Sequence, residues 1–113
     1  MKLRLAFIIS VMFMFSTTGC QYKKSDIIPD CATVPARFKT DVLPLIQSKC
    51  ATVCHNTFTT NKGGPLTNYT EIHSKADLVK FMVQTRQMPQ NGTLTDAEIK
   101  IISCWVDAGA ENN

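Results

Sequence analysis

Two cysteines four positions apart, with a histidine directly after the second, restrict the fold of this chain more than any other feature of its sequence. They lie in the segment SKCATVCHNT, residues 48 to 57, as Cys50, Cys54 and His55. A cluster of this kind either binds a metal or a cofactor, or closes a small disulfide loop. Which of these it does depends on what the rest of the chain supplies.

The start of the chain differs from the rest. A short basic stretch, Met1 to Arg4, is followed by eleven residues without charge, LAFIISVMFMF, and then by STTGC, which ends at Cys20. Eleven apolar residues are too few to span a bilayer, which takes about 20. The pattern therefore predicts a secretory signal over residues 1–19.

Small residues directly before Cys20 resemble the lipobox of bacterial lipoproteins, in which this cysteine is lipidated and begins the mature chain. Thr17 stands where that family usually has leucine. The resemblance implies an exported protein that is lipid-anchored in the bacterial cell envelope, facing the periplasm, with residues 20–36 as a lipidated tether. The alternative is an ordinary cleaved signal that leaves Cys20 as a free or paired thiol.

The 94 residues that would remain after cleavage are nearly neutral. Without Lys2 and Arg4, ten basic side chains stand against nine acidic ones. Binding to nucleic acid would need a basic stripe, so we expect no nucleic-acid partner. A chain of this length suits one small domain, over residues 37–113.

Four cysteines remain if Cys20 carries lipid, and four cysteines can pair in three ways. Cys50 and Cys54 are beside His55, whereas Cys31 and Cys104 are near the two ends of the mature domain. If Cys50 and Cys54 bind a cofactor and the other two cysteines form a disulfide, each of the four sulfurs has a role. Since exported proteins can form disulfides, we predict a Cys31–Cys104 disulfide that ties the lead-in segment to the last helix.

Three segments have helical spacing, residues 38–50, 70–84 and about 96–108. In the first, Thr40 is the candidate N-cap, Pro44 falls in the first turn, and Cys50 comes at the C-terminal end. The apolar positions are Phe38, Val42, Leu45 and Ile46 in the first segment and Ile72, Ala76, Val79 and Val83 in the second.

The third segment has the clearest boundaries. Thr95 and Glu98 fit a capping box, and Gly109 fits the position after the helix end. Residues 56–69 and the stretch around Met88-Pro89 have loop composition. No segment alternates with period two, so we predict an all-α fold with three to four helices and long loops.

Two alternatives for the cysteine cluster are weak. Structural zinc wants four ligands, and adjacent Cys54 and His55 would have difficulty reaching one ion, with His73 as the only other histidine. A Cys50–Cys54 disulfide would close a tiny loop that stabilises little. A domain this small usually needs a staple, a metal or a cofactor. A third interpretation is haem c attachment, which needs two neighbouring thiols and a histidine next to the second; here the usual C-x-x-C-H pattern is lengthened by one residue.

Residues 38–113 resemble a small class I monohaem cytochrome c domain, in particular the exported cytochrome domains of Bacteroidetes-type bacteria. Those domains open with a helix that runs into the Cys–Cys–His motif and continue with a turn like Gly64-Pro65-Leu66. They then supply a methionine before proline, as in Met88-Pro89. They close with a helix like LTDAEIKIISCWVDAGAENN, residues 94 to 113.

The resemblance implies a role for each matching residue. One covalent haem c would be attached through thioethers at Cys50 and Cys54, with His55 as the proximal iron ligand and Met88 as the distal one. The further implied contacts are the Pro65 carbonyl on the second nitrogen of His55, and Trp105, with Leu94 and Ile102, against the haem or the first helix. Met82, on the second predicted helix, is expected in the core, and His73 is the minor alternative to Met88.

Haem iron held by histidine and methionine has no vacant position, so the resemblance implies an electron carrier and not an enzyme. Its partners would be the membrane, through the lipid anchor, and redox proteins. Two alternatives stay open: a haem-binding sensor in which Met88 is displaced by a small molecule, and a non-haem lipoprotein held by disulfides.

Overall fold

A computed structural model describes residues 30–58 and 63–113. The predicted signal peptide, the lipidation site Cys20 and most of the predicted tether lie outside the described residues. Over the described ranges the chain forms four helices and no strand, so the all-α prediction is confirmed. Helix α1 consists of three abutting segments, Phe38–Val42, Leu43–Ile46 and Gln47–Ala51; α2 is Tyr69–His73, α3 is Ala76–Gln84 and α4 is Asp96–Asp107.

Helix α1 has wide, π-helical turns on both sides of its central segment. The Val42 N–H donates to the Arg37 carbonyl at 3.1 Å, a bond that spans five residues instead of four. Pro44 lies inside this helix and not in its first turn as predicted. Proline lacks an N–H and its ring crowds the carbonyl one turn earlier. A widened turn before Pro44 relieves this crowding and lets the helix continue to the cysteine motif.

The prediction that Thr40 caps α1 is wrong, because the helix begins two residues before it. Arg37 is the N-cap, and its N–H donates to the Asp41 carboxylate at 2.9 Å. The Phe38 N–H donates to the side-chain oxygen of Asn113 at 2.7 Å. Donors left over at a helix start need such partners, so the last residue of the sequence secures the start of the first helix.

The second predicted helix is in fact two helices, since the chain leaves helical geometry at Lys75 (φ −123°, ψ 14°). The Ser74 hydroxyl donates to the Glu71 carbonyl at 2.9 Å, a local bond that competes with the helical ladder. Asn68 caps α2 by accepting the Glu71 N–H. The predicted apolar face survives the break, because its members are all buried: Ile72, Ala76, Val79 and Val83.

Helix α4 begins and ends as the sequence predicts. Thr95 and Glu98 form a complete capping box. Gly109 follows the helix end with φ +101°, where a residue without a Cβ is favoured. The Ala110 N–H donates back to the Trp105 carbonyl at 2.9 Å, which satisfies a carbonyl of the last turn.

An aromatic cluster joins α1, α2 and α4. The Phe38 ring centroid lies 5.0 Å from that of Tyr69 and 5.4 Å from that of Trp105. Trp105 is 1% exposed, and its indole N–H donates to the Glu111 carbonyl at 2.8 Å. The Tyr69 hydroxyl donates to Ala110. Each buried ring brings a large apolar area out of water, and the two polar donors fix the segment after α4.

Cys31 and Cys104 form a disulfide, the pairing that the sequence predicts. It ties the segment before α1 to the buried side of α4, where Cys104 is 2% exposed. None of the helices in residues 30–58 and 63–113 is long and apolar enough to cross a membrane.

Candidate functional site

The cysteine motif continues the last turn of α1 and is not an open loop. The N–H groups of Cys54 and His55 both donate to the Cys50 carbonyl, at 3.3 and 2.9 Å. The Thr52 N–H donates to Gln47 in the same wide pattern, at 3.1 Å. The three residues between the cysteines are therefore wound as one helical turn.

This winding determines how the two cysteines lie relative to each other. On a helix, residues three apart and residues four apart both lie on one face, with Cβ atoms about 5–6 Å apart. Cysteines four apart would lie far from each other in an extended loop, but a helical turn brings them side by side. Cys50 and Cys54 thus remain neighbours despite the longer spacing.

Both cysteines of the motif are half-buried thiols, and no disulfide joins them. Cys50 also packs against the hydrophobic core. Burial, with a smaller contribution from the neighbouring Cys54, raises the pKa of the Cys50 thiol to about 11. Cys50 is therefore protonated at neutral pH.

His55 is held in one tautomer. Its Nδ1 lies 2.8 Å from the carbonyl oxygen of Gly64. Since a carbonyl only accepts hydrogen bonds, Nδ1 must carry the proton. In the neutral ring the lone pair is then on Nε2, the atom that a metal would bind. With 9% of the residue exposed, the ring is held inside the protein.

The carbonyl on His55 belongs to Gly64, so the prediction that Pro65 supplies it is wrong by one residue. Gly64 has φ +67°, a conformation that favours glycine and directs its own carbonyl to the ring. The Pro65 carbonyl instead accepts from the Lys75 ammonium at 3.3 Å.

Gly63 is a site residue that the sequence argument missed. A Cβ on Gly63 would lie 2.7 Å from Cε1 of His55, closer than such atoms approach. The same turn is closed by the Leu66 N–H, which donates to the His55 carbonyl at 2.8 Å. The available signal was the Gly63-Gly64 pair before Pro65, since paired glycines often mark a close backbone approach as well as a turn.

Large apolar side chains are exposed on both sides of His55 in the chain. Val53, between the cysteines, is 72% exposed, and Phe58 is 93% exposed. Single exposed apolar residues are common, but here two of them accompany a pair of thiols and a buried imidazole.

Met88 lies in the loop between α3 and α4, as predicted, and is half-buried. Its N–H donates to the Met82 carbonyl at 3.2 Å. Met82, expected in the core, is on α3 and only half-buried. His73 is exposed at the end of α2, with its ring 5.1 Å from that of Tyr69. The role of Met88 as a ligand stays a prediction.

Trp105 packs against Phe38 and hence against the first helix, which is one of the two partners predicted for it. Leu94 and Ile102 belong to the same core. A second link runs from α4 to the cysteine motif: the Lys49 ammonium lies 3.4 Å from the Glu98 carboxylate. The residue before Cys50 is thus joined to the capping box of α4.

Over residues 30–58 and 63–113, no group of three His, Cys, Asp or Glu side chains is arranged to hold a metal ion. Comparisons with protein families, with curated proteins and with solved structures found no match to this chain. The functional assignment therefore depends on the chain's own residues.

Proposed function

We propose that residues 37–113 form a small cytochrome c-like domain that carries one covalent haem c and transfers single electrons at a bacterial membrane surface. His55 carries this proposal. Its Nδ1–H is bound by the Gly64 carbonyl at 2.8 Å, which leaves Nε2 as the metal-binding atom. It stands directly after a turn that keeps two thiols on one face.

The residues fit a covalent haem in three respects. Thioether bonds need two neighbouring thiols, which Cys50 and Cys54 provide from successive positions on one helical face. A proximal histidine needs its second nitrogen fixed by a hydrogen bond, which Gly64 supplies. An apolar macrocycle needs apolar surface, and Val53 and Phe58 offer it beside the motif.

Haem, when bound, supplies one-electron chemistry. The protein would hold the iron through His55 on one side and Met88 on the other, which leaves no position for a substrate and favours electron transfer over catalysis. Met88 comes from the loop between α3 and α4 and is half-buried there. No catalytic residue is proposed.

The proposed partners follow from the start of the sequence. The signal over residues 1–19 and lipid on Cys20 would place the domain in the cell envelope, facing the periplasm, next to membrane-bound redox proteins. One acyl chain alone binds a membrane only marginally, so stable anchoring takes more than one.

The test is to produce the full chain together with haem-attachment machinery and to record its visible spectrum during a redox titration. We expect one haem with a single one-electron transition and a spectrum that changes in Met88→Ala. Met82→Ala is the matched control and should keep the wild-type spectrum. If Met88→Ala has the wild-type spectrum and potential, Met88 is not the ligand.

Two further outcomes separate the alternatives. Carbon monoxide binding to the wild-type protein at neutral pH would favour a sensor with a displaceable Met88. A colourless protein made alongside competent attachment machinery would leave a lipoprotein held by its disulfide and would refute the electron-transfer proposal.

A further inference from the structure

Lys75 interacts with the turn that holds His55. It occupies the break between α2 and α3, and its ammonium reaches back ten residues to the Pro65 carbonyl at 3.3 Å. A Cβ on Gly64 would lie 3.6 Å from the same nitrogen. The positive charge therefore lies against the Gly64-Pro65 dipeptide, half-buried at the side of the site.

This dipeptide connects Lys75 to His55. The Gly64 carbonyl accepts Nδ1–H of His55, and the next carbonyl, that of Pro65, accepts the Lys75 ammonium. The two bonds do not form one chain, because Pro65 has no N–H and each carbonyl accepts from its own donor. The ammonium instead polarises the Pro65–Leu66 peptide, whose N–H donates to the His55 carbonyl. The charge on Lys75 reaches the imidazole as an electrostatic field across this dipeptide.

The charge on Lys75 is not neutralised by a carboxylate in contact with it. The ion pairs of the described residues join Lys49 to Glu98, Lys80 to Asp107 and Arg86 to Asp96. Glu71, four residues before Lys75, accepts instead from the N–H and hydroxyl of Thr67. Asp77, two residues after Lys75, belongs to none of these ion pairs. Direct pairing would weaken the field of the ammonium at the site, and Lys75 has none within the part of the chain that the structure describes.

We propose that Lys75 is a positioning residue that holds the Gly64-Pro65 turn against His55 and raises the reduction potential of the site; this rests on the proposed haem. The oxidised site has one more positive charge than the reduced site, so a fixed cation nearby disfavours oxidation. The field of the ammonium also makes the adjacent Gly64 carbonyl a poorer acceptor for Nδ1–H, which would leave His55 a weaker electron donor to the iron. Both effects raise the potential.

The experiment compares three variants at Lys75 with a control at Lys80, which lies on α3. Lys75→Gln and Lys75→Met remove the charge, Lys75→Arg keeps it, and Lys80→Gln removes a charge that is paired with Asp107. Each full chain is titrated for its midpoint potential, and exchange of the Leu66 amide hydrogen is measured on the protein as purified. Leu66 is chosen because its N–H closes the His55 turn.

In the two neutral variants we expect a lower potential, with the ratio of oxidised to reduced protein at a fixed applied potential raised up to about tenfold, or 59 mV. We also expect faster exchange at Leu66. Lys75→Arg should have nearly the wild-type midpoint potential and exchange rate at Leu66. Lys80→Gln should change both quantities much less than the neutral Lys75 variants do.

A wild-type midpoint in both neutral variants would overturn the proposal, because a purely structural lysine would leave the potential unmoved. If no haem attaches, the proposed function fails by itself, and exchange at Leu66 decides the role of Lys75. Unchanged exchange in Lys75→Met would then refute it, and faster exchange that Lys75→Arg restores would support the positioning of the turn.

Discussion

The two ends of helix α1 lie in different surroundings. Its first residue, Phe38, is 2% exposed and belongs to the aromatic cluster, and its N–H donates to Asn113. We call this cluster, together with the Cys31–Cys104 disulfide, the stapled end. Its last turn leads into the thiols of Cys50 and Cys54, the exposed Val53 and His55. We call this group of residues the motif end.

The difference indicates how the chain divides its cysteines. At the stapled end one pair of sulfurs forms a covalent bond, and the apolar rings are packed against one another. At the motif end hydrogen bonds fix the backbone and the imidazole, while apolar side chains remain in water. Small domains often need a covalent link, a metal or a cofactor for stability, and the proposed haem would be attached at the end where apolar side chains are exposed.

The largest effect should come from removing the central ring of the stapled end. Trp105→Ala should lower the free energy of unfolding by about 3–5 kcal/mol, because it leaves a cavity and an unpaired Glu111 carbonyl. Phe58→Ala, at the 93% exposed ring of the motif end, should change it by less than about 0.5 kcal/mol. Urea denaturation measures both. Equal losses of unfolding free energy in the two variants would contradict the difference between the two ends.

The disulfide should contribute nearly as much as the ring. The Cys31→Ser, Cys104→Ser double variant should be less stable by about 2–4 kcal/mol, because the bond closes a loop with a sequence separation of 73. Reductant should lower the denaturation midpoint of the wild type and leave that of the double variant unchanged. A wild type that is insensitive to reductant would mean that this bond is not what secures the stapled end.

A smaller effect is expected at the motif end from Gly63→Ala. The added Cβ would lie 2.7 Å from His55 Cε1, so the ring must shift away from the Gly64 carbonyl, at a cost of about 1–3 kcal/mol. Gly92→Ala is the control, since its Cβ would meet Pro89 at an ordinary 3.5 Å. Nitrogen-15 shifts of the His55 ring report the Nδ1–H bond. Unchanged shifts in Gly63→Ala would contradict the described packing of the ring.

The smallest effect concerns the ion pair of Lys49 and Glu98, which joins the cysteine motif to α4. The pKa of the Glu98 carboxyl is lowered from 4.5 chiefly by the hydrogen bond from the Thr95 N–H, with help from Lys49. Because the folded pKa is below the unfolded one, this stabilisation is complete above about pH 4.5 and is lost as the pH falls through the folded pKa.

Glu98→Gln should therefore be less stable than the wild type at pH 7, by less than about 1 kcal/mol since the pair is partly exposed. The difference should vanish in strong acid. The same difference between wild type and Glu98→Gln at pH 7 and in strong acid would refute the role of the carboxylate.

The fold was predictable wherever the signal was local. The capping box of Thr95 and Glu98, the glycine after α4 and the buried faces of the helices each depend on a few neighbouring residues. The Cys31–Cys104 pairing followed from assigning the other two cysteines to His55. These features account for the boundaries of α4 and for the disulfide of the stapled end.

The errors lie where several weak local effects compete or where distant segments meet. The break at Lys75 depends on the Ser74 hydroxyl, which apolar periodicity does not register. The start of α1 depends on Asn113, which is far away in sequence. The Gly64 carbonyl takes the place predicted for the Pro65 carbonyl because a positive φ at Gly64 redirects it. A Gly-Pro sequence by itself does not predict this torsion angle.

The central claim is that the helical turn from Cys50 to His55 keeps both sulfurs available to one haem. The direct measurement is peptide mass spectrometry of the full chain, produced with competent attachment machinery and treated with a thiol-alkylating reagent after denaturation. We predict that the peptide containing Cys50 and Cys54 carries the mass of one haem and no alkyl group. The same peptide with two alkyl groups and no haem would contradict the account.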